Sequence, residues 1–214
     1  MELMYVTLAT IFSYLLGSIP TSVWIGKAFY GIDIREHGSG NAGATNTFRV
    51  LGKKAGIPVF AFDVLKAFFA SKFVIFFPYL IPGTPHFVNL QLLFGISAVV
   101  GHIFPIYAKF KGGKGVASLL GLALALAPIP ALVAFGVFML TLIITKYVSV
   151  SSMLAGFSFP IMIILITKTT VVSLMFFSVL FSVLLLLTHK KNIERLLRKE
   201  ENKAYILKGL KKNK

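Results

Sequence analysis

The chain has 214 residues, of which 57% are hydrophobic, with a mean hydropathy of +0.85 and a formal net charge of +15. A soluble core of this size cannot hide so much apolar surface, so the composition excludes an ordinary soluble domain and indicates a membrane protein. No cysteine is present, which excludes disulfides and cysteine-based metal sites or nucleophiles.

Six long apolar runs follow one another along the chain. A helix that rises ~1.5 Å per residue needs about 20 residues to cross roughly 30 Å of hydrocarbon, and most runs reach that length. Backbone inside a bilayer must satisfy its own hydrogen bonds, so the runs are predicted to be helices. The first run could instead be a signal peptide, but Glu2 stands where a basic segment is expected. The runs are Leu3–Ile25, Gly56–Pro78, Leu90–Tyr107, Val116–Thr145, Met153–Thr167 and Val171–Thr188.

The fourth run is long enough to contain two helical arms. Its Ala127-Pro128-Ile129-Pro130 stretch predicts a turn, because proline ends or kinks a helix. Each arm would be short, so the run makes either two thin crossings or a re-entrant hairpin. We therefore predict an all-α polytopic membrane protein with about seven transmembrane helices. Five spans with a re-entrant hairpin are the alternative.

Basic residues concentrate in alternate connections between the runs. They lie between the first and second, third and fourth, and fourth and fifth runs, and after the sixth, whereas the other connections contain only Lys168. The positive-inside rule places the basic segments and the C-terminus in the cytoplasm, with the N-terminus outside. The excess charge therefore indicates membrane topology, and no nucleic-acid partner is predicted.

The chain divides into residues 1–188, predicted to form an integral membrane domain, and residues 189–214, predicted to form a basic cytoplasmic tail. Apolar residues recur in the tail with a spacing typical of an amphipathic helix on the membrane surface, its basic face toward anionic lipid. A merely solvated anchor is an equal alternative. The apolar residues are Ile193, Leu196, Leu197, Tyr205 and Leu207.

The first cytoplasmic connection, residues 33–49, is rich in glycine and in neutral hydrogen-bond donors. Glycines let backbone N–H groups converge on an anion, and arginine adds a planar fork suited to phosphate. A flexible connector would not need so many donors beside a helix start, so we predict anion binding. The candidate residues are Ser39, Asn41, Thr45, Asn46 and Arg49.

A second glycine-rich segment, Lys111-Gly112-Gly113-Lys114-Gly115, leads directly into the fourth apolar run. Exposed N–H groups at a helix N-terminus, together with the helix dipole and the lysines, favour an anion. The segment is not a P-loop, because Gly115 replaces the Ser or Thr that follows the Walker lysine and an apolar span replaces the strand. We predict that these five residues bind phosphate.

A third polar set comprises Ser149, Ser151 and Ser152 after the fourth run, and His189 with Asn192 after the last. The last two are three positions apart, so on a continuous helix they share a face. The spacing leaves two alternatives for His189. It either points into a binding site or lies at the membrane interface as a snorkelling side chain.

Asp63 and Lys66 lie inside the second apolar run, three residues apart on one helix face. Charged groups at membrane depth are costly and face protein, water or each other. A mutually neutralising structural pair and a wall of the polar site are equal alternatives. His37 and His102 flank the glycine segments, but the four histidines lack metal-ligand spacing, so no metal site is predicted.

Several longer motifs follow one another along nearly the whole chain. They are Gly17–Pro20, Gly38–Gly52, Gly101–Pro105, Phe110–Ala117 and His189–Arg195. In this combination the chain resembles the bacterial acyl-phosphate-dependent glycerol-3-phosphate acyltransferases. The resemblance implies that a fatty acyl group moves from acyl phosphate to the 1-hydroxyl of sn-glycerol 3-phosphate, giving lysophosphatidic acid and phosphate in phospholipid biosynthesis. It also implies a bacterial cytoplasmic (inner) membrane protein with an active site facing the cytoplasm. No cofactor is expected, and a separate enzyme would supply the acyl phosphate.

The resemblance assigns family roles to residues of this chain. The essential serine and arginine of the family fall on Ser39 and Arg49. Its glycine-rich motif serves glycerol 3-phosphate binding and matches Gly112, Gly113, Lys114 and Gly115. The last motif supplies a histidine, an asparagine and a structural glutamate, which match His189, Asn192 and Glu201.

Two positions depart from the family pattern. The glycine usual shortly before the glutamate is Lys199 here, which weakens the assignment of Glu201. The glycine usual after the lysine of the second run is Ala67.

An acyl phosphate is already activated, so no protein nucleophile is required and the glycerol hydroxyl is expected to attack directly. His189 with Asn192 would orient or deprotonate that hydroxyl, and a substrate phosphate is the alternative base. A small transporter for phosphate or organic phosphates is the alternative function, although polar groups on one face argue against a permeation path. Phosphates and developing charge would be held by Ser39, Thr45, Arg49 and Lys114.

Overall fold

The computed structural model describes residues 1–204, and within that range every regular element is helical. The predicted all-α class is confirmed. Short 3-10 turns and one π-helical turn, Ile163–Thr167, connect or extend the helices. The α-helices are α1 (Glu2–Gly17), α2 (Thr21–Tyr30), α3 (Ala44–Leu51), α4 (Lys53–Ser71), α5 (Pro85–Ile103), α6 (Val116–Leu126), α7 (Pro128–Thr145), α8 (Val148–Met162), α9 (Val172–Thr188) and α10 (Lys190–Leu197).

Three helical segments are long and apolar enough to cross a membrane alone: Pro85–Ala108, Pro128–Thr145 and Val148–Thr167. The number rises to five if the bent pairs α1–α2 and α9–α10 each count as one span. The 19 residues of α4 include several charged side chains, which lower its hydropathy. The chain is a polytopic membrane protein, whereas the count of seven spans and the orientation of the termini stay predictions.

The first apolar run forms two helices rather than one. It bends by 41° between α1 and α2, where Ser18, Ile19 and Pro20 separate them. Pro20 has no N–H with which to continue the hydrogen-bond ladder of α1. The carbonyl of Ile19 instead accepts a hydrogen bond from Nζ of Lys66 on α4, at 3.0 Å. The break therefore gives a buried lysine a partner inside the bundle.

The predicted turn in the fourth run is confirmed. α6 ends at Leu126 and α7 begins at Pro128, with Ala127 between them in a non-helical conformation. Leu120 of α6 and Phe135 of α7 line the same apolar cavity, so the two arms lie side by side. With 11 residues, α6 falls short of a full crossing, whereas the 18 residues of α7 reach the required length.

The helices pack closely through small residues. A Cβ at Gly17 of α1 would collide with the backbone of Ala98 on α5, and one at Gly121 of α6 would collide with Val64 on α4. Such backbone contact through glycine is typical of helices packed in membranes. Large apolar side chains cover much of the outside of the bundle, as contact with lipid tails requires.

The start of the tail forms the predicted helix, α10, bent by 58° from α9. Leu197 is 80% exposed at its end, whereas Asn192 is buried against the bundle. The charged side chains of α10 set it apart from the apolar helices, so the apolar part of α9 ends at Thr188. Tyr205 and Leu207 lie outside the described residues. The division at residue 188 and the contact of α10 with lipid stay predictions.

Candidate active site

Asn46, at the start of α3, holds the first glycine-rich loop in shape. Its Oδ1 accepts the backbone N–H of Ser39 at 2.8 Å, and its Nδ2 donates to the carbonyls of Ile34 and His37 at 3.0 and 2.9 Å. Gly38 has a φ of +63°, and a Cβ there would collide with the Asn46 side chain. The buried amide of Asn46 therefore positions the loop, and its direct contact with a substrate stays a prediction.

The first loop is also tied to the segment that precedes α6. Asp33 accepts from Nε and an NH2 nitrogen of Arg35 at 2.9 and 2.6 Å, and the other guanidinium nitrogen donates to the carbonyl of Ala108 at 3.0 Å. Hydrogen bonds from Arg35 hold the pKa of the Asp33 carboxyl well below its usual range. These bonds fix one side of the loop, while Ser39 and Thr45 are exposed and Asn41 is half-buried.

The second glycine-rich loop folds back on the C-terminal end of α5. The N–H groups of Gly112 and Gly113 donate to the carbonyls of Ile103 and His102, both at 3.2 Å. These two N–H groups, which were expected to donate to a phosphate, are therefore already bonded. In the structure they satisfy carbonyls at the end of α5. The first turn of α6, which begins after Gly115, keeps the free N–H groups that can face an anion.

Lys114 and Asn192, 78 residues apart in sequence, meet directly. Nζ of Lys114 donates a hydrogen bond to Oδ1 of Asn192. Nδ2 of Asn192 then donates to Oε1 of Glu201 at 2.7 Å, and the hydroxyl of Ser149 donates to the same oxygen at 2.9 Å. Nε of Arg195 donates to the other oxygen of Glu201 at 2.8 Å. Glu201 thus joins the tail, α8 and α10 beside the second loop.

The hydrogen bonds to Glu201 decide its charge state. Burial acts to raise the pKa of this carboxyl, but the bonds from Arg195, Asn192 and Ser149 lower it below its ordinary value. Glu201 is therefore ionised at neutral pH. The predicted structural role of Glu201 is supported by this network, despite the departure from the family pattern at Lys199.

The backbone of Lys199 explains why a glycine suits that position. Its φ of +58° lies in the left-handed region, which glycine adopts without cost and lysine does not. The chain then continues to Ala204, whose N–H donates to the carbonyl of Lys146 at 2.7 Å. The turn at Lys199 is what brings Glu201 back to the site.

Replacing Lys199 with glycine is expected to stabilise the folded protein by up to about 1 kcal/mol, because the left-handed strain of a non-glycine residue is removed. Thermal unfolding in detergent would measure the change. Glu200→Gly is the matched control, since Glu200 is exposed and is not among the residues with positive φ. Equal effects of the two glycines on unfolding would contradict the expectation.

Three cations surround the single carboxylate of Glu201. Burial lowers the pKa of Lys114 to about 8. The negative charge of Glu201 acts to raise this pKa, whereas the positive charges of Arg195 and Arg49 act to lower it further. Burial also lowers the pKa of Arg49, whose guanidinium has no hydrogen-bond partner among residues 1–204. The site therefore has an excess of positive charge that suits a phosphate group.

His189 lies buried at the junction of α9 and α10, so a freely snorkelling side chain is excluded. Its Nδ1 lies 2.8 Å from the carbonyl of Leu185, which can only accept, so Nδ1 carries the proton and donates. Burial, with a contribution from the charge of Lys114, lowers the pKa of His189 to about 4. The ring is neutral at physiological pH, and its Nε2 lone pair is free to accept a proton.

The three serines of α8 have different roles. Only Ser149 joins the polar network, through Glu201. The hydroxyls of Ser151 and Ser152 donate to the carbonyls of Tyr147 and Val148 in their own helix, at 2.8 and 2.9 Å. The donors of these two hydroxyls are used within the helix, and the binding role of Ser151 and Ser152 stays a prediction.

Asp63 and Lys66 form a buried ion pair at 2.8 Å, which supports the structural alternative for these residues. His102 lies 3.4 Å from the same carboxylate oxygen. The structure thus separates two polar groups: this pair inside the bundle, and the cations around Glu201 at the helix ends.

Arg195 was not among the residues selected from the sequence. It follows Asn192 by three positions, so both side chains lie on one face of α10, and that spacing was the available signal. No hydrogen bond within residues 1–204 joins Ser39 to the Lys114–Glu201 network. Its loop continues into α3, which carries both Asn46 and Arg49.

Comparisons with known proteins identify one family. Residues 7–199 match the family model described as glycerol-3-phosphate acyltransferase. A glycerol-3-phosphate acyltransferase of Chlorobium phaeobacteroides is 49% identical over 153 residues, covering 70% of this chain and 65% of that relative. One of Chlorobaculum parvum is 48% identical, covering 70% and 66%. The chain thus spans just under two thirds of the length of these curated relatives.

Two solved structures are similar over nearly the whole chain. Both are of PlsY (YgiH), described as an integral membrane glycerol 3-phosphate acyltransferase. The glycerol 3-phosphate form is 36% identical, with a TM-score of 0.82, and covers 94% of this chain and 96% of that one. The lysophosphatidic acid form is 35% identical, with a TM-score of 0.80 and the same coverage.

Proposed function

Because the chain belongs to the glycerol-3-phosphate acyltransferase family, we propose that it transfers a fatty acyl group from acyl phosphate to the 1-hydroxyl of sn-glycerol 3-phosphate. The products are lysophosphatidic acid and inorganic phosphate, which places the enzyme in phospholipid biosynthesis. The observation that carries the proposal is the gathering of Arg49, Lys114 and Arg195 around one carboxylate, that of Glu201. Two phosphorylated substrates need such an excess of positive charge.

An apolar cavity lies next to this charge. It is lined by Phe60 of α4 and by residues of α6 to α9, and it extends from Val116 and Ala117, directly after the second loop, to Leu185, whose carbonyl holds His189. Cations beside apolar side chains suit a substrate that joins a phosphate head to an apolar tail, and the cavity, at about 60 Å³, has room only for the part of the tail next to the head.

The proposed reaction is a direct transfer. The glycerol hydroxyl oxygen attacks the carbonyl carbon of the acyl phosphate, the new ester bond forms, and the bond to the phosphate oxygen breaks so that phosphate leaves with the electron pair. The hydroxyl proton passes to Nε2 of His189 or to a substrate phosphate. Arg49 and Lys114 stabilise the charge that develops on the phosphates, and Ser39 donates to the same groups.

The proposal includes the setting of the reaction. The protein lies in the bacterial cytoplasmic membrane with its site facing the cytoplasm, where glycerol 3-phosphate is dissolved, and membrane lipids surround the apolar cavity. A separate acyl-phosphate-forming enzyme supplies the donor. The cationic residues of the site lie at the helix ends that the basic connections join, and the positive-inside rule places those connections in the cytoplasm.

The donor is tested with purified protein in liposomes, given glycerol 3-phosphate and, separately, acyl phosphate, acyl-CoA and acyl-carrier protein. Lysophosphatidic acid is expected only with acyl phosphate. Product only from the two thioesters would overturn the donor assignment. No product from any donor, together with uptake of glycerol 3-phosphate or phosphate into the liposomes, would favour the transporter.

The affinity for glycerol 3-phosphate is expected to depend on pH through Lys114. Below its pKa of about 8 the ammonium is charged and binds phosphate, and above it the charge is lost. The KM for glycerol 3-phosphate should therefore rise between pH 8 and 10, by up to about tenfold per unit. Initial rates at several pH values measure this. Lys114→Arg should flatten the rise, because arginine stays charged; a flat wild-type profile would contradict the assignment.

A further inference from the structure

A buried carboxylate connects four helices behind the second loop. Oδ1 of Asp63, on α4, accepts from Nζ of Lys66 at 2.8 Å, lies 3.4 Å from Nδ1 of His102 on α5, and is 3.5 Å from the hydroxyl of Thr21 on α2. The fourth helix is reached through the backbone of Asp63, whose carbonyl accepts a hydrogen bond from the hydroxyl of Ser118 on α6 at 3.0 Å. Asp63 is 2% exposed, so these contacts are shielded from water.

The Asp63 carboxylate fixes the orientation of the His102 ring. An ionised carboxylate only accepts, so Nδ1 of His102 carries the proton that points to it. The opposite edge of the ring then lies against Gly113, where an added Cβ would collide with Nε2 and lie 3.0 Å from Cε1 and 3.1 Å from the carbonyl oxygen of Ala42.

His102 therefore contacts the second loop in two ways. Its carbonyl accepts the N–H of Gly113, and its ring edge packs on the same glycine. The next residue is Lys114, whose ammonium meets Asn192 in the cationic site. A small rotation of the ring would shift the glycine and carry Lys114 with it, because a single peptide unit separates them.

We propose that His102 is a positioning residue, held by Asp63, that sets the place of Lys114 for the phosphate of glycerol 3-phosphate. The inference rests on the proposed function, because it needs Lys114 to bind that phosphate. It accounts for an otherwise unexplained feature, a histidine and a carboxylate placed behind the loop rather than in the site. Replacing His102 is therefore expected to change the affinity for glycerol 3-phosphate and not the affinity for acyl phosphate.

His102→Asn separates the two contacts. The asparagine Nδ2 can occupy the place of Nδ1 and keep a donor for Asp63, while the ring edge against Gly113 is lost. The KM for glycerol 3-phosphate should rise about tenfold, since misplacing a binding group by a fraction of an ångström to 1 Å costs up to roughly 100-fold. The kcat, the KM for acyl phosphate and the melting temperature should stay close to those of the wild type.

A second substitution tests the contact itself. Gly113→Ala places a Cβ against the His102 ring and should raise the KM for glycerol 3-phosphate. Asparagine at position 102 is too short to reach that space, which leaves the carbonyl oxygen of Ala42, 3.1 Å from the added Cβ, as the remaining close contact. His102→Asn combined with Gly113→Ala should therefore have a lower KM than Gly113→Ala alone. His86→Asn, at the exposed other end of α5, is the matched control and should leave all constants unchanged.

Three results would overturn the proposal. The first is an unchanged KM for glycerol 3-phosphate in His102→Asn. The second is an equal rise in both KM values with a lower melting temperature, which would indicate a purely structural residue. The third is a double variant whose change is the product of the two single changes. Failure of the proposed function is distinguishable, because the wild type itself would then give no lysophosphatidic acid from acyl phosphate.

Discussion

Replacing Arg49 with alanine is expected to lower kcat about 10³-fold while the protein stays folded. The guanidinium of Arg49 has no hydrogen-bond partner within residues 1–204, although it lies near the charges of Glu201 and Arg195. A guanidinium whose donors are not engaged is available for phosphate, and removing a group that stabilises the developing charge costs roughly 10²–10³ in rate. Steady-state rates with saturating acyl phosphate and glycerol 3-phosphate measure the loss.

Two variants make the Arg49 experiment specific. Arg49→Lys keeps the charge but loses the planar fork, so it should recover only part of the rate. Arg198→Ala removes an exposed arginine just after α10 and should change kcat less than about twofold if only the cationic site matters. If Arg49→Ala retained wild-type turnover, Arg49 would have no part in the chemistry.

The second large effect is expected at His189. His189→Asn can keep the donor to the Leu185 carbonyl through Nδ2, but it removes the Nε2 lone pair. If Nε2 accepts the hydroxyl proton, kcat should fall roughly 10²–10⁴-fold, the usual contribution of general base catalysis. The asparagine variant should melt near the wild-type temperature, because the structural hydrogen bond is preserved. The same assay as for Arg49 gives the rate.

The pH profile provides an independent control for His189. Its pKa of about 4 means that the ring stays neutral above that pH, so protonation of this histidine should not slow the wild type between pH 6 and 8. A fall in kcat as pH decreases through 6.5 that is absent from His189→Asn would show that this histidine has an ordinary pKa. Undiminished kcat in His189→Asn would leave a substrate phosphate as the base.

The sequence was sufficient for the features that depend on local pattern. Apolar run lengths predicted the helices, and the paired prolines predicted the break near Ala127. The spacing of Asp63 and Lys66 offered an ion pair as one of two equal alternatives, because opposite charges three residues apart on a membrane helix can neutralise each other. Position 199 was recognised as unusual, and the structure supplies the reason, a φ of +58°.

The remaining features depend on contacts between distant segments. A glycine loop that binds an anion and one that caps the preceding helix have the same composition, so nothing local distinguished the two roles for Gly112 and Gly113. The inward-facing amide of Asn46 and the hydroxyls of Ser151 and Ser152 were chosen as donors by type. Only the folded backbone shows that those donors are already used.

The distances along the chain between site residues have a consequence for folding in the membrane. The bond from Lys114 to Asn192 closes a loop of 78 residues, and the bond from Ser149 to Glu201 closes one of 52. Contacts of such long range form late, because loop closure must precede any gain in energy. The cationic site is therefore assembled only after α6, α8 and α10 have all reached their places. Turnover would then report correct insertion of the whole bundle more strictly than helix content does.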